Sequence, residues 1–155
     1  MKYANTLIVL GMAVVLACTT GTAPTDVNEK KLPASLIGTT WDVVSFVSED
    51  GTATDPGTVG LYIKFGEDST VTGGSYQLEN GPVARNSFGG EYIILSDSLF
   101  ITLNYMTEVN EPEGSRVYEF AGVINRIIIF KIEDGFLILD YDEEKEIILQ
   151  QRTSY

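Results

Sequence analysis

The sequence predicts an α+β domain: a mainly antiparallel, curled sheet or partial β-barrel of about eight strands, with one helix before the last three. Three observations predict it. Runs rich in β-branched and aromatic residues recur from Thr40 onward, divided by Gly, Asp and Asn turn signals. One stretch alone changes period, with Val117, Phe120, Ala121 and Ile124 at i, i+3, i+4 and i+7. Three more strand-like runs follow that stretch.

Each element has its own warrant. Residues 40–47 (TWDVVSFV) read as the first strand, because branched and aromatic side chains fit a pleated, half-buried surface. Residues 48–60 hold the turn signals Asp50-Gly51 and Asp55-Pro56-Gly57. Residues 61–65 alternate, with Leu61, Ile63 and Phe65 on one face, and residues 70–78 form their hairpin partner. Residues 79–90 are rich in Gly, Pro and Asn and read as a loop; 91–95 and 99–103 form the next hairpin. The helical stretch is 111–125, with Pro112 suited to a first turn and Glu111 and Glu113 to its positive end. Residues 126–132, 135–141 and 146–151 are the last strands. Ile127-Ile128-Ile129-Phe130 is apolar on both faces, which places that strand under the helix.

Composition bounds function. The chain has 155 residues, enough for one domain, with 10 Lys and Arg, 22 Asp and Glu, a net charge of −12, no His and one Cys. Without histidine there is no Ser-His-Asp or Cys-His site and no zinc site using that ligand. One cysteine excludes an intrachain disulfide and a CxxC motif. The acidity argues against nucleic acid as a partner.

The N-terminus reads as an address. Lys2 precedes the apolar run 7–16 (LIVLGMAVVL), which has the size of a signal-peptide core and is too short to span a bilayer. It ends in Val15-Leu16-Ala17-Cys18, which resembles a bacterial lipobox. The alternative is a plain secretory signal in which Cys18 is incidental. The lipobox resemblance implies a signal peptide at 1–17, lipidation at Cys18, a tether at 18–31 and a domain at 32–155. The tether is small and polar, and as a coil it would span roughly 20 Å. Thr19, in place of an Asp there, implies the outer membrane, facing the periplasm.

Three stretches in order carry a family resemblance. They are Gly38-Thr39-Thr40-Trp41, then Asn86-Ser87-Phe88-Gly89-Gly90-Glu91-Tyr92, then the helix followed by the strands around 127–132 and 136–139. Together they resemble the META (HslJ-like) domain. That resemblance implies a small envelope module linked to stress and no defined activity. The chain departs from it at Arg85, where many members carry a cysteine, and near Thr107, where the second cysteine is missing. A second resemblance is lipocalin-like: Gly38-x-x-Trp41 near the start and Arg152 near the end, which implies an Arg plane over the indole face. Its departure is the helix lying before the last three strands rather than after the barrel.

The candidate binding residues are Arg85, Asn86, Phe88, Tyr92 and Trp41; no catalytic residue, metal ligand or cofactor is expected. Tyr76, Phe88, Tyr92 and Tyr105 lie in or beside Gly/Asn-rich segments, where exposed aromatics suit binding, although packing is the plainer role for half of them. Trp41 also suits a core anchor. Arg85 could hold a carboxylate or pair with one of the domain's own acids. Asp140, Asp142 and Glu144 imitate the start of a calcium loop, but Lys145 stands where Gly is needed and Gln151 at the last ligand, so the cluster reads as a solvated turn. The functional expectation is a non-enzymatic envelope lipoprotein acting as a binding or interaction module. Its partners would be the membrane, through the anchor, and a protein with a basic surface. The alternative is a carrier of a small apolar ligand. Bulky side chains at Ile127, Ile129, Leu137, Leu139, Ile147 and Leu149, read as inward, favour a filled core over a cavity.

Overall fold

The computed structural model describes residues 36–142 and 144–153, and only the backbone of Ile127. The signal peptide, Cys18 and the tether lie outside the described residues.

Nine strands form one antiparallel sheet: β1 (Thr40–Val47), β2 (Ala53–Thr54), β3 (Gly60–Phe65), β4 (Thr70–Tyr76), β5 (Ser87–Leu95), β6 (Ser98–Met106), β7 (Ile127–Glu133), β8 (Phe136–Tyr141) and β9 (Lys145–Gln151). Apart from the two-residue β2, which hangs on β1, each strand pairs with the next in sequence. β9 then pairs with β1, from Trp41↔Gln151 to Val47↔Glu146, with a register shift between Val43 and Ser45. The eight long strands form a barrel closed by the β9–β1 pairing, and β6 meets β7 only over Ser98–Phe100, so its second half lies beside the segment carrying α1, where the Leu103 N–H donates to Asn125 Oδ1 at 3.1 Å. The one helix among the described residues, α1 (Val117–Ile124), is inserted between β6 and β7.

Register separates the two ends. The β3–β4, β5–β6 and β7–β8 turns lie at the end where β1 begins and β9 finishes. The β4–β5 loop, the β8–β9 turn and the segment carrying α1 lie at the other. Leu36 is fully buried at the first end, where the Gly38 N–H donates to the Phe65 carbonyl at 2.8 Å.

The interior is filled by alternate residues of every long strand, as a pleated sheet requires. Trp41, Leu61, Ile63, Phe65, Val71, Phe88, Leu99, Ile128, Leu137, Leu139, Ile147 and Leu149 are almost wholly buried. Phe65 and Tyr92 meet edge to face at 5.2 Å. Glycines make room for rings on both faces of the sheet. Phe88 lies over Gly73, where a Cβ would come within 2.2 Å of the ring, and Tyr76 lies as closely over Gly60. α1 caps the second end. Its Val117, Phe120, Ala121 and Ile124 are buried, with Phe120 edge-on to both Phe46 (6.4 Å) and Phe88 (5.9 Å).

The structure corrects several expectations. The helix is shorter than 111–125, because Gly114 takes a left-handed φ of +82° and Ser115 bridges to Gly57. β5 begins at Ser87, so the preceding loop is shorter than predicted. Ile129 is not inward: it is 52% exposed on the outer face, between Ser98 and Asp140 in register, while Ile128 and Phe130 turn inward.

Replacing Phe120 with Ala should lower stability by about 3–5 kcal/mol, because it empties the junction of three rings. Gly122→Ala should raise it by about 1 kcal/mol, since Ala favours the helix and a Cβ there meets nothing within 4 Å. Urea unfolding of the two variants measures both.

Candidate functional site

Most of the aromatic candidates belong to the core. Trp41 (1% exposed), Phe88 and Tyr92 all point inward. Phe88 and Tyr92 lie within β5 rather than in a loop, at positions of the same parity. The Trp41 indole N–H donates to Thr39 Oγ1 at 2.7 Å, and the Tyr92 hydroxyl donates to the Gly66 carbonyl at 2.8 Å. Arg152 does not cover the indole. Trp41 faces inward, so the residues available to Arg152 are outward ones: it forms a two-bonded pair with Asp42 and stacks over Tyr76 (4.9 Å) and Tyr62 (5.2 Å). This cluster ties the end of β9 to β1, β3 and β4. Arg85 is exposed and forms no ion pair among the described residues. Tyr105 is exposed, beside Gly89.

Asn86 is buried and organises a polar strap. Its Oδ1 accepts from the Val109 N–H (2.8 Å) and from Thr107 Oγ1 (3.0 Å). Its Nδ2 donates to the Val109 carbonyl (2.6 Å) and to Glu111 Oε1 (2.7 Å). The same Glu111 oxygen accepts from Ser75 Oγ (2.6 Å) and from the Asn86 N–H (3.2 Å). Tyr118 of α1 donates its hydroxyl to the Val109 carbonyl at 2.9 Å. Buried polar groups are costly unless paired, so these bonds hold the approach to α1 against β4 and β5. Burial pushes the Glu111 carboxyl up, but the bonds from Ser75 and Asn86 outweigh it, and its pKa sits below the usual 4.5. Ser75 and Glu111 lie 36 residues apart, and no sequence spacing signals their meeting.

A groove runs along α1 at the capped end. Its volume is about 480 Å³, between the end of β1 (Phe46, Val47, Ser48), the helix (Arg116, Tyr118, Glu119, Gly122, Val123), Arg126 and the β8–β9 turn (Tyr141, Asp142, Lys145). A shallower hollow of about 360 Å³ lies on the other flank of α1, against Leu103–Met106, and shares Tyr118 and Gly122. Arg116 lies 3.8 Å over the Phe46 ring and makes two bonds to Glu119. It also donates to Thr54 Oγ1 at 2.6 Å. Arg126 pairs with Asp142 at 2.5 Å, and Lys145 with Glu49 at 3.6 Å. Burial first, and Glu119 second, raise the Tyr141 hydroxyl, which stays neutral and able to donate. The wall thus offers charged side chains already engaged in pairs, the half-buried Val47, and the phenols of Tyr118 and Tyr141. Sequence reasoning missed this site, because its lining comes from four separated segments.

No family model and no curated protein matches the chain. Solved structures do. A protein from Burkholderia xenovorans, solved by NMR, has a TM-score of 0.59 at 16% identity, covering 77% of this chain and 86% of its own. A DUF4847 family protein from Bacteroides vulgatus has a TM-score of 0.51 at 16% identity, over 74% of this chain and 93% of its own. A lipocalin-like protein from Bacteroides uniformis has a TM-score of 0.49 at 21% identity, over 74% and 96%. At these identities the likeness concerns the fold alone. The META resemblance gains no support from these comparisons. The eight long strands run in series, as the lipocalin-like resemblance implies, and the helix inserted before β7 remains its departure.

Glu111→Gln should destabilise the protein at neutral pH. A carboxyl whose folded pKa is depressed contributes stability above its unfolded pKa and loses it as pH falls through the folded value. The stability gap between wild type and variant should therefore be constant above about pH 5 and shrink below about pH 4.5. Urea titrations across that range measure it.

Proposed function

We propose that this chain is a non-enzymatic binding module of the cell envelope, anchored through Cys18 and facing the periplasm, whose barrel takes up a small ligand at its helix-capped end. The observation that carries the ligand reading is the groove of about 480 Å³ along α1. Its size falls within the range of small-molecule sites, and closed antiparallel barrels hold ligands at or within their mouths. The inward positions are occupied by large side chains, which supports binding at the mouth rather than deep inside. The half-buried Val47 and Tyr141 and the exposed Tyr118 suit the body of a ligand. Arg116, Arg126, Lys145 and Tyr141 suit an acceptor-bearing or anionic end. The lack of histidine, and of any thiol besides Cys18, supports a binding role over catalysis. The anchor and its location rest on the lipobox resemblance.

The net charge of −12 favours a second reading, a META-like module that docks a protein with a basic surface.

Native mass spectrometry of the chain gently extracted from its own envelope separates the two. The wild type should carry a non-covalent small-molecule adduct, and Gly122→Trp, which fills the groove from an open position, should reduce its occupancy at least tenfold. A bare wild-type chain, or equal adducts on both, would contradict the groove as the site.

A further inference from the structure

The outer wall of the barrel carries an apolar patch that neither the core nor the groove uses. Ile93 (61% exposed), Leu95 (60%) and Ile129 (52%) are among the most exposed large aliphatic side chains described. Register makes them neighbours. Ile93 pairs with the half-buried Phe100 on β6, while Leu95 pairs with Ser98, which pairs in turn with Ile129 on β7. Single exposed aliphatics need no explanation, but three of them beside the half-buried Phe100, on three adjacent strands, are the kind of cluster that marks a contact surface.

Its place in the fold points to what covers it. The patch borders the β5–β6 turn, at the end of the barrel where the chain enters through Leu36. Roughly 17 residues separate Cys18 from Leu36, and as a coil they would reach on the order of 20–25 Å. A lipid-anchored Cys18 therefore holds this end, and not the groove end, near the bilayer. Exposed Glu91, Asp97 and Glu133 and the half-buried Asp140 flank the patch, against one exposed cation, Lys131, which pairs with Glu146 at 3.9 Å; this acidic balance repels anionic headgroups while leaving neutral ones tolerable.

We infer that Ile93, Leu95, Phe100 and Ile129 seat the barrel on a bilayer of zwitterionic headgroups, so that the groove along α1 faces away from the membrane. The inference rests on the lipid-anchor reading of Cys18. The anchor supplies the local concentration, and the patch adds a shallow apolar contact, which makes two weak membrane signals act as one stable one.

The test uses the full-length acylated chain, purified from membranes and reconstituted in phosphatidylcholine vesicles. Acylated Cys18 leaves no other thiol, so Leu95→Cys and Val44→Cys each accept a single environment-sensitive fluorophore. Val44 is an exposed aliphatic on β1, three strands from β5 around the barrel. Nitroxide-bearing lipid should quench the label at position 95 at least threefold more than the label at 44. The pair Ile93→Glu and Ile129→Glu, added to Leu95→Cys, should bring that quenching down to the level at 44 while the chain stays on the vesicles. Equal quenching at both positions on an acylated chain would overturn the seating alone. A label at 95 that is shielded from water yet unquenched by lipid would also overturn it, and would assign the patch to a second copy. A chain without acyl mass on Cys18 would overturn the anchor reading and the inference with it.

Discussion

The pairing of β9 with β1 is the constraint on which the rest of the structure depends. It brings together strands about a hundred residues apart and turns a meander into a barrel. Closure defines an inside that must be filled by residues of one parity on every strand. That is why Trp41 and Phe65 are buried whereas Asp42 and Lys64, their immediate neighbours, are not. It also explains the glycines of β4 and β5. Phe88 fits the interior only because Gly73 opposite it has no side chain. The Arg152–Asp42–Tyr76–Tyr62 cluster reinforces the closure from outside, joining the last residues to β1, β3 and β4.

A closed barrel has two ends, and they are treated differently. At one, Leu36 and the turn after β3 complete the packing. At the other, α1 lowers Phe120 between Phe46 and Phe88. The helix is short and its N-cap residue, Arg116, makes no side-chain capping bond, so its position comes from that wedge and from the strap held by Asn86 and Glu111. Because the helix covers the mouth without matching its outline, grooves remain on both flanks, and charged residues from separate segments line the larger one. Site and fold therefore share one cause.

Much of this architecture is legible in the sequence. Residues 40–47 match β1 to the residue, and the stripe Val117, Phe120, Ala121, Ile124 makes up the buried face of α1 together with Val123. These signals are local, depending only on period and composition. What is not legible is non-local. The helix start depends on Gly57 meeting Gly114, where a Cβ on Gly57 would come within 2.0 Å of the Gly114 carbonyl oxygen. The sequence marks Asn86 only as one of five candidate binding residues, and its partners at 75, 107, 109 and 111 come from other strands and loops. The outward turn of Ile129 in an unbroken apolar run has no local signal, since a run apolar on both faces does not tell inside from outside. The groove is assembled wholly from such distant pieces.

The central claim is that the barrel is closed and that β1 and β9 are interior staves rather than edges. Native-state hydrogen exchange, resolved by residue, tests it most directly. The account predicts that the amides shared between β1 and β9 exchange only with global unfolding, with protection equal to that of β4 and β5. Protection along β1 and β9 that is lower by a hundredfold or more, as in fraying edge strands, would contradict it.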